Sequence, residues 1–586
     1  VTAPDTSALL DAAPPTVAAP PATGADDPFD WRWLALSIAA LAFLASATSL
    51  GNGFAYDDRW IIADNNHIHA FTAPWKFFSE TYWPVKNGAA LYRPLTITLY
   101  SMQWAIGDGS PLIFHVVSVA LYLGICVLVF WLALQIMPRS AAWFASAFFA
   151  VHPVHVEAVA NGVGQAELWT ALVMIGATAI YVRDRRTGLP LKRESAWAIF
   201  GLYFIGLFIK ENAIVLPALL VAVELFLVDD RRRWRTRIDA MLPVLLWMGL
   251  AAAFFLYIRV SILDDIGGDV AHPALHHLGM GQRTLLMLGL VPEFGRLLLW
   301  PAHLFADYSP RAVPTFSSWN VGHLPGLLFV GCVAILVALS WKRAPVVAFG
   351  FAWFAIAFAP VSNILIPTGI LIAERTLLVP SMGIMFVIGF AAPWVIERLR
   401  VRPRLLQIAV AGEMATFLTL GIGTSAERNF TWKSSETVFK TLASESPLSF
   451  KGHFGLGGLY FEQKRLLEGE REWRYAIALM PDYYGVYIDL GHKYRELHLC
   501  PAAIPMYKKG LAIEPALPLA RVTLAACYLE LAQYRRARSE ARSAIADGFN
   551  RRALLFIIER ADSSLAANDS LDATNQWTGH SKVLRP

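Results

Sequence analysis

Charge is what this chain most lacks. Of its 586 residues only 16% are Asp, Glu, Lys or Arg, against roughly 25% in soluble domains, while 56% are hydrophobic. That balance excludes a single soluble domain and excludes a disordered chain, and leaves a polytopic membrane protein. Cysteine is scarce as well. Cys126, Cys332, Cys500 and Cys527 show no metal-ligand spacing, two of them lie in apolar spans, and no disulfide framework is read from them. The net charge of +5 is small, and the basic residues stand in short runs between apolar segments. Such runs set membrane topology and exclude a nucleic-acid partner. What is plentiful is aromatic surface, with 20 Trp and 35 Phe, which suits contact with lipid and its interface.

The apolar character is confined to the part before residue 424. Spans are read near 32–51, 112–136, 142–159, 166–182, 196–209, 213–228, 239–260, 324–341, 346–360, 376–396 and 405–423, about eleven in all. Basic clusters at Arg183–Arg193, Arg231–Arg237, Lys342–Arg343 and Arg398–Arg404 belong on the cytoplasmic side. Keeping them on one side requires the stretch 283–300, with Arg283, Glu293 and Arg296, to lie in the outer interface as an amphipathic helix. The N-terminus is then cytoplasmic, and loops 52–111 and 261–323 and everything after 424 are extracytoplasmic. Residues 1–30 read as a disordered tail without the apolar core of a cleavable signal, so the first span is expected to remain as an anchor. Residues 563–586 read as a second loose tail. The expected fold is all-α, a transmembrane bundle over 31–424 and a soluble domain over 425–562.

The soluble domain repeats every 34 residues. Leu456, Gly457 and Tyr460 recur as Leu490, Gly491 and Tyr494, and again as Leu524, Ala525 and Tyr528. Trp473 and Ala476 lead to Pro481, and Tyr507 leads to Pro515; the third unit lacks the closing Pro. This is the tetratricopeptide pattern, in which small residues let paired helices approach and aromatic rings fill the gaps. An α-solenoid of this kind recognises peptides or proteins, and Tyr460, Tyr494 and Tyr528 are the candidate recognition residues.

Ionisable groups collect on the outer side of the spans, where they are costly unless functional. Tyr56-Asp57-Asp58 follows the first span; its carboxylates could serve as a base or could cap a helix. Arg93, in Tyr92-Arg93-Pro94-Leu95, could fork onto a phosphate or anchor the interface. His152-Pro153-Val154-His155-Val156-Glu157 closes the third span with no zinc spacing, which favours polar packing at the rim of a site over a metal. Lys210-Glu211 could be a functional pair or a self-neutralised turn. Asp307-Tyr308 and Glu374-Arg375 complete the set, with Arg375 a second phosphate candidate. Parity places all six clusters on one face, the face that carries the repeats.

These motifs, with Glu374-Arg375 continuing to Pro380-Ser381-Met382-Gly383 and followed by the repeats, resemble the polytopic glycosyltransferases of the GT-C superfamily. The chain is similar in particular to the transmembrane-and-tetratricopeptide O-mannosyltransferases of eukaryotes and their bacterial relatives. The resemblance implies sugar transfer from a polyprenyl-phosphate donor to the hydroxyl of an extracytoplasmic protein. It implies a base in the first outer loop, carried to Asp57 with Asp58 as the alternative. The residues themselves fit an inverting attack in which Arg375, helped by Arg93 or Lys210, receives the leaving phosphate. Tyr56, His152, His155, Glu157, Glu211, Asp307, Tyr308 and Glu374 would form the rim. No cofactor beyond the donor substrate is implied, and the spacing supports no metal, although a divalent ion stays open. Expected partners are the lipid-linked donor, the acceptor protein and membrane lipids. The short repeat array and the Ala- and Arg-rich composition suggest a bacterial inner membrane. Two other readings stand beside this one, an inactive membrane scaffold and a transferase acting on lipid or polysaccharide.

Overall fold

The computed structural model describes residues 30–580, leaving out 85–90, 264–271, 399–402, 547–550 and a few single positions. The tail expected before residue 30 lies outside the described residues, as do Arg231, Arg233, Arg400 and Arg402 of the basic clusters. Every regular element among the described residues is helical. The chain forms two compact units, the first ending at Glu445 and the second beginning at Ser446.

The first unit contains α1 (Trp31–Ser46), α2 (Pro94–Gly107), α3 (Pro111–Ile136), α4 (Arg139–Ala150), α5 (Val156–Ala160), α6 (Gln165–Arg185) and α7 (Arg193–Ile209). There follow α8 (Leu216–Phe226), α9 (Trp234–Leu263), α10 (Met280–Leu299), α11 (Leu324–Ser340), α12 (Pro345–Phe358), α13 (Leu378–Arg398), α14 (Pro403–Thr431) and α15 (Ser435–Glu445). Among the described residues six helices, α1, α3, α6, α9, α11 and α13 with their flanking turns, are long and apolar enough to cross a membrane. The chain is an integral membrane protein. The other five expected spans correspond to α4, α7, α8, α12 and α14, which do not combine that length and apolarity. The reason for α4 is local. Proline cannot continue a helix, and the His152 ring accepts the Val154 N–H at 3.2 Å, so the chain turns there.

One apolar core runs through α1, α3, α4, α6 to α9, α12 and α13, with Phe130, Phe149, Phe255 and Trp353 wholly buried. α12 and α13 cross backbone to backbone at Gly350 and Gly383, where a Cβ on either would run into the other's carbonyl oxygen. α10 is the amphipathic helix expected over 283–300. Its apolar side, Leu286, Leu290, Phe294 and Leu297, packs on Leu304, Tyr308 and Leu377, and its Arg283 donates to the Ile364 carbonyl at 3.1 Å. Two of the cations read as orientation signals have internal roles. Glu224 of α8 is wholly buried and accepts from Tyr181 Oη at 2.7 Å, Arg185 Nε at 2.6 Å and Arg237 Nη2 at 3.1 Å. A buried carboxylate needs such compensation, and here it ties α6, α8 and α9 together.

The second unit is the expected solenoid. Its helix pairs are α16 (Phe450–Glu462) with α17 (Leu466–Leu479), α18 (Tyr484–Glu496) with α19 (Cys500–Ile513), and α20 (Pro518–Glu530) with α21 (Tyr534–Ala546). Each pair turns through one left-handed residue, Lys464, His498 or Ala532, and these stand at the repeat interval. Gly457 and Gly491 let the first two pairs close. A Cβ at either would strike the Trp473 or Tyr507 ring. In the third pair the facing residue is the small Ala541, buried like Ala525, so an alanine replaces the glycine. α22 (Arg551–His580) packs on this last pair. The tail expected from 563 is therefore helical as far as His580.

Cys500 of α19 and Cys527 of α20 form a disulfide, with Cα atoms 5.3 Å apart and both residues fully buried. Their separation of 27 residues carries no motif, which is why the pairing is invisible in the sequence. Cys126 and Cys332 are free thiols. Alkylation of the denatured protein should therefore modify two cysteines without reductant and four after reduction, read by intact mass. Four modified cysteines without reductant would contradict the pairing.

Candidate active site

The site begins with a backbone event. After α1 the chain tightens through Ala47–Gly51 and reaches Tyr56 in the left-handed region, at φ 55°. A tyrosine pays for that conformation, and three contacts hold it there. The Tyr56 N–H donates to Ser435 Oγ at 3.1 Å, and the ring packs against Trp432 and Phe439 with centroids 6.2 and 5.7 Å away. The next two carboxylates then part. Asp58 is wholly buried and accepts backbone N–H groups from Gly162 at 2.9 Å, Val163 at 2.7 Å and Ala55 at 3.4 Å. Burial pushes its carboxyl up to about 7, against the pull of those three donors. Asp57 stays 20% exposed, and its Oδ2 lies 3.5 Å from Arg375 Nη2.

Arg375 is held twice by one residue. Glu157 of α5 accepts the Arg375 backbone N–H at 2.9 Å through Oε2, and Nη1 at 2.9 Å through Oε1. The guanidinium thus bridges a fixed carboxylate and the half-open Asp57. Neighbouring Glu374 serves another purpose. It is wholly buried and accepts Tyr308 Oη at 2.7 Å and the Phe305 N–H at 2.6 Å, which fastens the loop between α10 and α11 to the start of α13. In that loop Asp307 accepts from the Ser309 hydroxyl.

A second ionic group adjoins the first. Arg93 makes a two-pronged contact with Glu211, at 2.6 and 3.0 Å, and its guanidinium sits 5.1 Å from the Tyr82 ring centroid. Arg259 lies 3.8 Å from the same Glu211, and Lys210 pairs with Glu167. Burial alone would raise the Glu211 carboxyl, but Arg93, with Arg259 and Lys210, holds it well below the usual carboxylate range. Glu167 is within electrostatic reach of both Arg93 and Arg375, which joins the two groups into one site. Its basic side sets three cations against two carboxylates. Its other side sets Asp57 and Glu157 against Arg375.

The two histidines belong to the interior. His155 contacts Tyr122 Oη at 3.0 Å and Ser381 Oγ at 2.8 Å, and His152 contacts the Leu298 carbonyl at 3.1 Å and the Val154 N–H at 3.2 Å. All four ring nitrogens are engaged, those of His155 with α3 and α13 and those of His152 with the end of α10 and its own turn, so neither histidine offers a nitrogen to the rim. The repeat tyrosines are likewise corrected. Tyr494 and Tyr528 are buried in the solenoid core, and Tyr494 Oη donates to Glu470 at 2.8 Å. A ring enclosed between helices has no face to present to a peptide. Tyr460 is half-buried with Arg465 stacked 4.1 Å from its centroid.

Sequence reasoning missed Arg259, Tyr82 and the segment Asn429–Ser435. Arg259 is a lone cation near the end of an apolar span, and Tyr82 lies in a loop without a motif. Asn429 and Ser435 follow the last span, where polar residues attract no notice.

No family model matches the chain. It is 23% identical over 496 residues to mouse protein O-mannosyl-transferase TMTC3, covering 80% of this chain and 53% of that protein. It is similar to protein O-mannosyl-transferases. Human TMTC4 is 26% identical over 481 residues (72% of this chain, 63% of the relative), and fruit-fly Tmtc1 is 25% identical over 542 residues (77% and 62%). The chain thus spans between about half and two thirds of the length of these curated relatives. Among solved structures it is similar to the APC/C hetero-tetramer Cut9–Hcn1 at 16% identity, covering 80% of this chain and 89% of that one, with a TM-score of 0.24. That likeness is too slight to define a shared fold.

The two aspartates should separate experimentally. Asp58→Asn replaces an acceptor of three backbone donors and should cost about 1–3 kcal/mol of stability, read as a lowered unfolding midpoint in detergent. Asp57→Asn touches only a partly exposed pair and should leave the midpoint within about 0.5 kcal/mol of wild type. Equal midpoints for the two variants would contradict the assignment.

Proposed function

We propose that this chain is an inverting glycosyltransferase that moves a sugar from a polyprenyl-phosphate donor to a hydroxyl of an extracytoplasmic protein. The observation that carries the reading is the Arg375 bridge between Glu157 and Asp57, at a carboxylate that keeps some exposure. Asp57 is the base. It accepts the proton of the acceptor hydroxyl while the oxygen attacks the anomeric carbon. The bond from that carbon to the phosphate oxygen breaks with inversion, and its electron pair leaves on the phosphate. A phosphate is a weak base and needs no acid, but its charge needs cations. Arg375 supplies the first, with Arg93 and Lys210 as helpers. Asp58 has a framework role, since its oxygens are committed to backbone donors.

The names of the relatives support a protein acceptor and mannose as the sugar. The solenoid supports acceptor recognition, because such arrays bind proteins. In this reading the N-terminus is cytoplasmic and the repeats are extracytoplasmic, in a bacterial inner membrane as the composition suggests. The Cys500–Cys527 disulfide supports the outer placement, since such bonds persist in oxidising compartments. An inactive scaffold would account for the Glu157–Arg375 clasp but not for Asp57, a carboxylate kept partly exposed beside it.

Co-expression with an extracytoplasmic acceptor protein should add the mass of a hexose to Ser or Thr residues of that protein. Asp57→Asn should slow the transfer about 10²–10⁴-fold in a protein that still inserts. Unmodified acceptors with the wild-type chain, or wild-type transfer by the Asp57→Asn variant, would overturn the reading.

A further inference from the structure

The loop that carries Asp57 is held chiefly by residues that lie beyond the last apolar span. α14 continues two turns past residue 424 to Thr431, and the segment that follows wraps the loop with hydrogen bonds. Thr48 Oγ1 donates to the Ala426 carbonyl at 3.1 Å. Asn429 Nδ2 donates to the Ala45 carbonyl at 3.0 Å and to Thr48 Oγ1 at 2.8 Å, and its own carbonyl accepts Asn52 Nδ2 at 2.9 Å. The Gly53 N–H donates to the Lys433 carbonyl at 2.9 Å, and the Tyr56 N–H donates to Ser435 Oγ. An apolar cluster closes behind these bonds, with Ala55, Val156, Ala160, Trp432 and Val438 all buried.

The sequence explains why Ser435 is available. Two serines stand at the start of α15, and Ser434 performs the capping, accepting the Thr437 N–H at 3.2 Å. The second hydroxyl is therefore at liberty to accept from Tyr56. Position matters here because Tyr56 is the left-handed residue, and its dihedral angles decide where the next side chain points. Losing the Ser435 acceptor leaves a strained tyrosine without its hydrogen-bonded hold, one residue before the base.

We propose that residues 425–438 form a collar that aims the base, with Asn429 and Ser435 as positioning residues for Asp57. The proposal rests on the reading of Asp57 as base. It extends the catalytic body past the membrane spans to α15, which agrees with the first compact unit ending at Glu445. Neither residue touches the reacting atoms, so each acts through the loop.

The test uses the full-length protein with Ser435→Ala, Ser435→Thr and Asn429→Ala. Hydrogen exchange of residues 53–58 and transfer kinetics are read side by side. Ser435→Ala should speed exchange at Tyr56 and lower kcat about tenfold or more, as expected for a misaimed catalytic group, with KM for the lipid-linked donor within about twofold. Ser435→Thr restores a hydroxyl and should recover most of kcat. Asn429→Ala should speed exchange across 53–58 and lower kcat in the same sense. Unchanged exchange in both alanine variants overturns the collar, and so does faster exchange with wild-type kcat. If the wild-type chain transferred no sugar, the functional reading would fail on its own. The exchange data would still decide whether the collar holds the loop.

Discussion

A buried charge must find its opposite, and this protein is organised around that requirement. Its first unit is an apolar body into which Glu157, Glu211, Glu224, Lys210, Arg93, Arg259 and Arg375 have been placed. Each of these is paired among the described residues. Removing ions from water is so costly that they survive only as mutually neutralised groups. The pairings therefore decide which helices meet. Glu224 gathers α6, α8 and α9 at one end, while Glu157 and Glu211 bring α5, α9 and the start of α13 to the site.

The same requirement separates fully committed ions from one that keeps some freedom. Glu157 is enclosed and grips Arg375 through both its backbone and its side chain. Asp57 touches the same guanidinium at a longer distance and keeps contact with the outside. An anion arriving at the site competes for Arg375 against the weaker of its two partners. In the proposed reaction the arginine is kept ready by Glu157, and Asp57 is released to accept a proton. Arg93 follows a related logic, with its forked grip on Glu211 backed by Arg259, so the basic side carries an excess of positive charge, which the proposed function assigns to a phosphate.

Much of this was legible in the amino-acid order. Apolar runs declared the six long spans, though the five others read beside them do not combine the length and apolarity to cross, and the 34-residue interval declared the solenoid. The ionic clusters between the apolar runs were visible as ions where few should be. What stayed hidden depends on contacts between residues far apart in the chain. Nothing near Asp57-Asp58 says which carboxylate turns inward. That is settled by the Gly162 and Val163 amides and by a left-handed Tyr56. His152 and His155 looked like residues of a site rim, yet their partners come from α3, α13 and the end of α10. The tyrosines at the repeat register looked like a recognition surface because repetition of a ring signals packing and binding alike. The boundary between units was misplaced for a simple reason. Hydropathy ends at 424, whereas the packing of Trp432 and Val438 continues the first unit to Glu445.

The central claim is that Arg375 is shared between a permanent carboxylate and an exchangeable one. A structure of the membrane-embedded protein with polyprenyl-phosphate mannose bound tests it most directly. The account predicts phosphate density within hydrogen-bond distance of the Arg375 guanidinium, the Glu157 contacts intact, and Asp57 moved away from Arg375 toward the anomeric carbon. A bound donor whose phosphate lies away from Arg375, with the Asp57–Arg375 pair undisturbed, would contradict it.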